Sequence, residues 1–243
     1  MSSNSKDTVV DRRIYNELDD LAAEILTGEG LLKYMEARRS YFSDSGEAVK
    51  KYFSDGENAG GISTFGDFYY NYMSKYSKGY LYKIGEEGYT DGFRELLQRY
   101  ELDPDIIDVN WKSIKEKEKY YEVDLVDILY SLINYEIGKH GFTLFGINMG
   151  FESIIYFIVR EDSYNKRIKK KYELLTLFDL EFLENIYNEI YEVTGDLGDP
   201  KIKIGDFLEK KEKDYSTIFK SRESNTVLKN LKEEDEEKLK LIL

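Results

Sequence analysis

The sequence predicts an α+β protein, predominantly helical, with one small antiparallel sheet. Three observations lead there. Apolar residues recur every three to four positions through most of the first hundred residues, the period of a helix with one buried face. The stretch Val123 to Gly138 repeats that period. Residues 142–160, "FTLFGINMGFESIIYFIVR", then join an alternating run to a β-rich run through the turn residues "NMG", the pattern of an antiparallel hairpin. The second run is apolar on both faces, which places it centrally in the sheet.

Each element follows from local chemistry. A first helix carries Val10, Ile14, Leu18, Leu21 and Ile25 on one face and ends at "TGEG", residues 27–30. A second runs through Leu32, Met35 and Phe42, and a short third through Val49 and Phe53. Residues 54–63 read as a loop. Gly60-Gly61 is not followed by Gly-Lys-Ser/Thr, so this is no phosphate-binding P-loop. Ser63 or Thr64 caps a helix whose stripe of Phe65, Phe68, Tyr69, Tyr72, Met73 and Tyr76 has core spacing. Residues 79–89 read as a short strand and turn. Residues 90–100 form a helix with Phe93, Leu96, Leu97 and Tyr100 inward.

Asp103 and Pro104 mark a further helix start, Asp103 as N-cap and Pro104 in the first turn. Over 123–138, Leu125, Ile128, Leu129, Leu132 and Ile133 form the inner face. Asp124, Asp127, Ser131 and Asn134 form the outer, with Gly138 as C-terminal cap. Beyond the hairpin come a basic island (164–172) and an amphipathic helix over 176–195, capped by Asp179 and ended by Gly195. A turn, a short extended piece and another helix follow up to Lys211. The last residues from Arg222 are either a marginal helix or a disordered end. The organisation expected is a helical lobe over 1–100, an α+β lobe with the central hairpin over 101–215, and a charged tail over 216–243.

Composition bounds the function. Hydrophobic residues make up 41% and aromatics 15%, enough for a folded core. The 22 tyrosines suit half-buried surfaces and interfaces, a ring with a polar tip. A net charge of −13 repels nucleic acid and anionic headgroups and attracts basic partners. The absence of cysteine excludes disulfides, thiolate zinc sites and a cysteine nucleophile. The N-terminus lacks a secretory apolar region and no segment reaches the roughly 20 apolar residues of a membrane span, so a cytoplasmic protein is expected.

The candidate sites are few. His140, the one histidine, lies between Gly138 and Gly141 and reads as a helix-to-strand connector; no G-x-S-x-G elbow accompanies it. Asp103, Asp105 and Asp108 could offer oxygen ligands to a hard cation, but their spacing is not that of a calcium loop, and no metal or cofactor is expected. Pro104-Asp105 with Glu209-Lys210-Lys211 is similar to pieces of the nuclease PD…(D/E)xK pattern, yet both read as helical where that pattern needs strands. Lys166, Arg167, Lys169, Lys170 and Lys171 read as a solvated face offset by Glu161, Asp162 and Glu173. Asp124, Asp127, Glu152, Glu161 and Asp162 are the candidate partner-binding acids.

"LFGINMGFESIIYFIV", residues 144–159, resembles the Gly-containing strand-turn-strand of the SMI/KNR-like immunity superfamily. That resemblance implies an α+β module that binds and neutralises a bacterial polymorphic toxin. The family's upstream Leu-Pro turn and Asn-Gly-Gly are absent, since Gly60-Gly61 follows Asn58-Ala59, so no functional residue is carried over. The expected function is a non-enzymatic protein-binding module that neutralises a basic partner, a toxin or another conflict-system effector. Two alternatives stand beside it: a divergent metal-dependent hydrolase or nuclease using Asp103, Asp105 and the acids near 161–162, and a phage-type acidic DNA mimic that inhibits a host defence protein.

Overall fold

Aromatic residues at helical spacing build the first half of the molecule. The computed structural model describes residues 9–53, 61–118, 125–148, 152–170, 175–178, 189–213, 216–222, 224, 226–229 and 231–241. The chain divides into two units, each assembled from separated stretches. The first comprises residues 1–84, 96–102 and 141–177, the second 85–95, 103–140 and 178–243.

In the first unit, helices α1 (Val9–Ile25), α2 (Glu29–Ser43), α3 (Ser45–Phe53) and α4 (Phe65–Tyr76) pack with a sheet. Helix α4 begins where the sequence places its cap. The Thr64 hydroxyl accepts from the Asp67 N–H at 3.1 Å, and the Asp67 carboxylate accepts from the Thr64 N–H at 2.8 Å, a reciprocal capping box. Phe65, Phe68, Tyr69, Tyr72 and Met73 are buried, and Phe68 meets the rings of Tyr41, Tyr52, Phe53, Phe65 and Tyr72. Each such side chain contributes about 1.5–3 kcal/mol by leaving water. On α2 the inward residues are Tyr34 and Ala37, whereas Leu32, Met35 and Phe42 are exposed, so the helix was foreseen and its buried face was not. The Tyr34 hydroxyl donates to Asp19 at 2.8 Å and the Arg38 guanidinium donates to the same carboxylate at 2.7 Å. Burial pushes the Tyr34 phenol far above its ordinary pKa, so it stays a neutral donor.

The sheet of this unit has the strand order β1-β3-β2-β4, from β1 (Tyr80–Lys83), β2 (Phe142–Asn148), β3 (Ser153–Arg160) and β4 (Thr176–Phe178). The hairpin is antiparallel and β3 is interior, as its two apolar faces require. Phe145 faces Phe157 and Ile147 faces Ile155 on the side that joins the aromatic core. On the other side Gly146 lies opposite Tyr156, whose ring stacks with Tyr80. A Cβ on Gly146 would stand 2.7 Å from Ile154 Cγ2 and 3.0 Å from the Tyr156 ring, so only glycine fits. After β3 the chain turns through α8 (Glu161–Ser163) into a π-type turn, Tyr164–Ile168, which buries Tyr164 and Ile168.

The second unit holds α6 (Trp111–Lys117), α7 (Val126–Gly138) and a second antiparallel sheet. Helix α5 (Tyr89–Arg99) runs from this unit's residues into the first unit's stretch 96–102, with Phe93, Leu96 and Leu97 buried. The expected helix start at Asp103 is a single 3-10 turn, Pro104–Ile106. Helix α7 buries Ser131 and Asn134 along with its apolar face, against the expected outward placement. The Ser131 hydroxyl avoids a desolvation cost by donating to the Asp127 carbonyl at 2.9 Å. Asp124 lies outside the described residues.

That second sheet was not foreseen. It has five strands in the order β8-β7-β6-β5-β9: β5 (Ile190–Val193), β6 (Phe207–Lys213), β7 (Ser216–Ser221), β8 (Val227–Lys229) and β9 (Leu239–Leu241). The α+β class holds, with two sheets instead of one. The helix expected over 176–195 is strand at both ends, β4 and β5; its middle and the Asp179 cap lie outside the described residues. Glu209-Lys210-Lys211 lies on β6, not on a helix. The tail is structured too, as β8, a short α9 (Glu233–Glu236) and β9. Among the described residues Val193, Ile202, Phe207, Leu208 and Phe219 are buried about this sheet, with Tyr191 against Phe219 at 5.6 Å. Among the described residues no helix is long and apolar enough to cross a membrane.

Candidate functional surface

Sequence-derived site residues do not converge. His140 is exposed just past α7, where its backbone N–H donates to the Ile137 carbonyl at 2.9 Å. The three aspartates of the metal reading go separate ways. Asp103 accepts from the Asp105 N–H at 3.0 Å, as a turn cap. Asp105 pairs with Arg94 at 2.8 Å, and that guanidinium lies over the Trp111 ring, 5.4 Å from its centre. Asp108 pairs with Lys240 at 2.9 Å, whose hydrogen bond and charge hold the carboxyl below its ordinary value. Among the described residues no group of three or more His, Asp or Glu side chains could hold a metal ion.

The candidate partner-binding acids are likewise dispersed. Asp127, in the second unit, is half-buried; it accepts from the Ile128 N–H and lies 3.4 Å from Arg222. Glu152, Glu161 and Asp162 are exposed in the first unit. They flank opposite ends of the eight-residue β3, roughly 25 Å apart at about 3.3 Å per residue. Glu161 and Asp162 also sit among Arg160, Lys166, Arg167, Lys169 and Lys170. Lys166 reaches Asp162 at 3.7 Å, and Arg167 reaches Glu24 of α1 at 2.7 Å. Glu24 also accepts from the Ser163 hydroxyl at 2.6 Å. Burial alone would raise the Glu24 carboxyl; the bonds from Arg167 and Ser163 outweigh it and leave it below the ordinary value. The basic island is thus partly a clasp that ties the end of β3 to α1.

What the fold does bring together is charge. The chain has 35 basic and 48 acidic residues; 18 of each lie in the first unit, leaving 17 basic and 30 acidic in the second. The first unit is therefore neutral and the second carries the whole net charge of −13. Most of this asymmetry already lies along the sequence, since residues 1–84 sum to −2 and residues 85–243 to −11; the stretch 141–177, at +2, joins the first unit and completes the partition. Within the second unit Glu233, Glu234, Glu236 and Glu237, on and just past α9, are exposed. Ion pairs such as Lys232–Glu234, at 3.7 Å and largely solvated, subtract little from such a field.

No family model, curated protein or solved structure matches the chain.

Proposed function

We propose that the protein is a binding module that captures and neutralises a basic protein partner, with the second unit as the face that attracts it. The observation that carries this reading is the partition of charge, neutral in one unit and −13 in the other. A net charge concentrated on part of a surface steers an oppositely charged partner and orients it, raising the association rate by about 10–1000-fold at low salt. Exposed rings such as Tyr135 on α7, with Lys139 4.6 Å from its centre, offer amphipathic anchors on the same unit. A bacterial toxin or another conflict-system effector is the partner class that the hairpin resemblance suggests.

The test is capture of the tagged protein's partner from its native host, identification by mass spectrometry, and titration of that partner's activity. One basic protein, retained at one-to-one stoichiometry and inactivated as the complex fills, is the expected result. A partner that is acidic, or that keeps its full activity when saturated, overturns the reading.

A further inference from the structure

We propose that the protein also pairs with a second copy of itself, through an antiparallel contact between two α2 helices. The contact uses a flank of α2 that the first unit leaves open. Leu32 is 67% exposed, Met35 41% and Phe42 46%, and Arg39 is exposed beside them. At 100° per residue these four positions fall within an arc of about 80°, turned away from the buried Tyr34 and Ala37. Phe42 packs against Tyr15, Tyr41 and Phe65, at 5.1, 5.7 and 4.8 Å, and the Arg38 guanidinium lies over its ring at 5.0 Å, which fixes the ring while leaving it 46% exposed.

Charge selects the occupant. Among the described residues neither Glu36 nor Arg39 has an ion-pair partner, and both are exposed. A two-fold axis crossing α2 near Ala37 sets Leu32 against Phe42 of the copy and Met35 against Arg39 of the copy. Glu36 lies just past Leu32 on the same flank as Arg39, so about the two-fold each helix offers its carboxylate to the other's guanidinium, twice in one interface. The stripe complements itself. The unit that presents it has no net charge of its own. A single-helix contact is small, which places the dimer at about micromolar affinity or weaker.

Sedimentation velocity of the full chain between roughly 1 and roughly 300 µM tests this. The expected result is a sedimentation coefficient that climbs with concentration to the dimer value. Met35→Glu, on an exposed position, should keep the wild-type circular dichroism and weaken the dimer about tenfold or more. Glu36→Arg and Arg39→Glu should each weaken it, and the double variant should recover it, since the swapped pair meets again across the axis. A chain that stays monomeric throughout, a dimer indifferent to Met35→Glu, or a double charge swap no better than either single one overturns the proposal.

Discussion

The two units carry nearly equal numbers of basic residues, 18 and 17, and very different numbers of acids, 18 and 30. The first balances its 18 basic against its 18 acidic residues and encloses a broad aromatic core around Tyr34, Phe68, Tyr69 and Phe157. The second leaves 13 acids unbalanced; among its described residues Val193, Ile202, Phe207, Leu208 and Phe219 are buried about the five-stranded sheet, and α7 buries a further apolar face. Both units bury apolar side chains, the first largely aromatic and the second chiefly aliphatic along α7, and the net charge belongs to the second alone.

Removing one ring from each core sharpens that contrast most. Phe68→Ala leaves a cavity lined by five other rings and is expected to cost near the upper end of the usual range, about 5 kcal/mol. Phe219→Ala, with Tyr191 as its ring neighbour and a mainly aliphatic cluster around it, should cost near the lower end, about 3 kcal/mol. Urea unfolding measures both; a Phe219 cost equal to or above that of Phe68 breaks the comparison. Gly146→Ala comes next, at about 1–3 kcal/mol, because its Cβ collides with the branched Ile154 and the Tyr156 ring. Thr64→Ala follows at about 1 kcal/mol through loss of the α4 cap, read in the same unfolding series.

The smallest expected effect is on acid stability. In the first unit Glu24 and Asp67 are held below their ordinary values, Asp67 by the Ser63 and Thr64 N–H groups and hydroxyls acting against its burial. A depressed carboxyl stabilises the fold above its unfolded pKa, and that contribution is lost as pH falls through the depressed folded value. The wild type should therefore lose more melting temperature between about pH 5 and about pH 3 than Glu24→Gln, which has no carboxyl to protonate. Equal losses would show that the clasp to Arg167 and Ser163 adds nothing.

How much of this was legible in the sequence divides along the same line. Helices α1 to α5 and the hairpin were readable because each has one local period and, for α4, a cap three residues before its partner acid. The face of α2 was misread because Tyr34 and Ala37, one polar-tipped and one small, count for less than Leu32 and Met35 in an apolar pattern, yet they face the core. The second sheet departs from its local pattern for a different reason. Glu, Lys and Leu in "FLEKKEK" favour a helix locally, and only pairing with β5 and β7, from residues not adjacent in sequence, makes that stretch a strand. Of the candidate site, the acidity was visible at once. Its concentration after residue 84 is visible there too, at −11 against −2, and only the return of 141–177 to the first unit needs the fold.

The account's central claim is that the acidic unit, not the acids nearest the hairpin, draws in the partner. The direct measurement is the association rate of the captured partner, at low salt, with two charge-reversed triples. Glu233→Lys, Glu236→Lys and Glu237→Lys alter the second unit; Glu152→Lys, Glu161→Lys and Asp162→Lys alter the first. The account predicts that the first-named triple slows association about tenfold while the other stays within about twofold. Equal slowing by both, or a larger effect from the triple beside the hairpin, would contradict it.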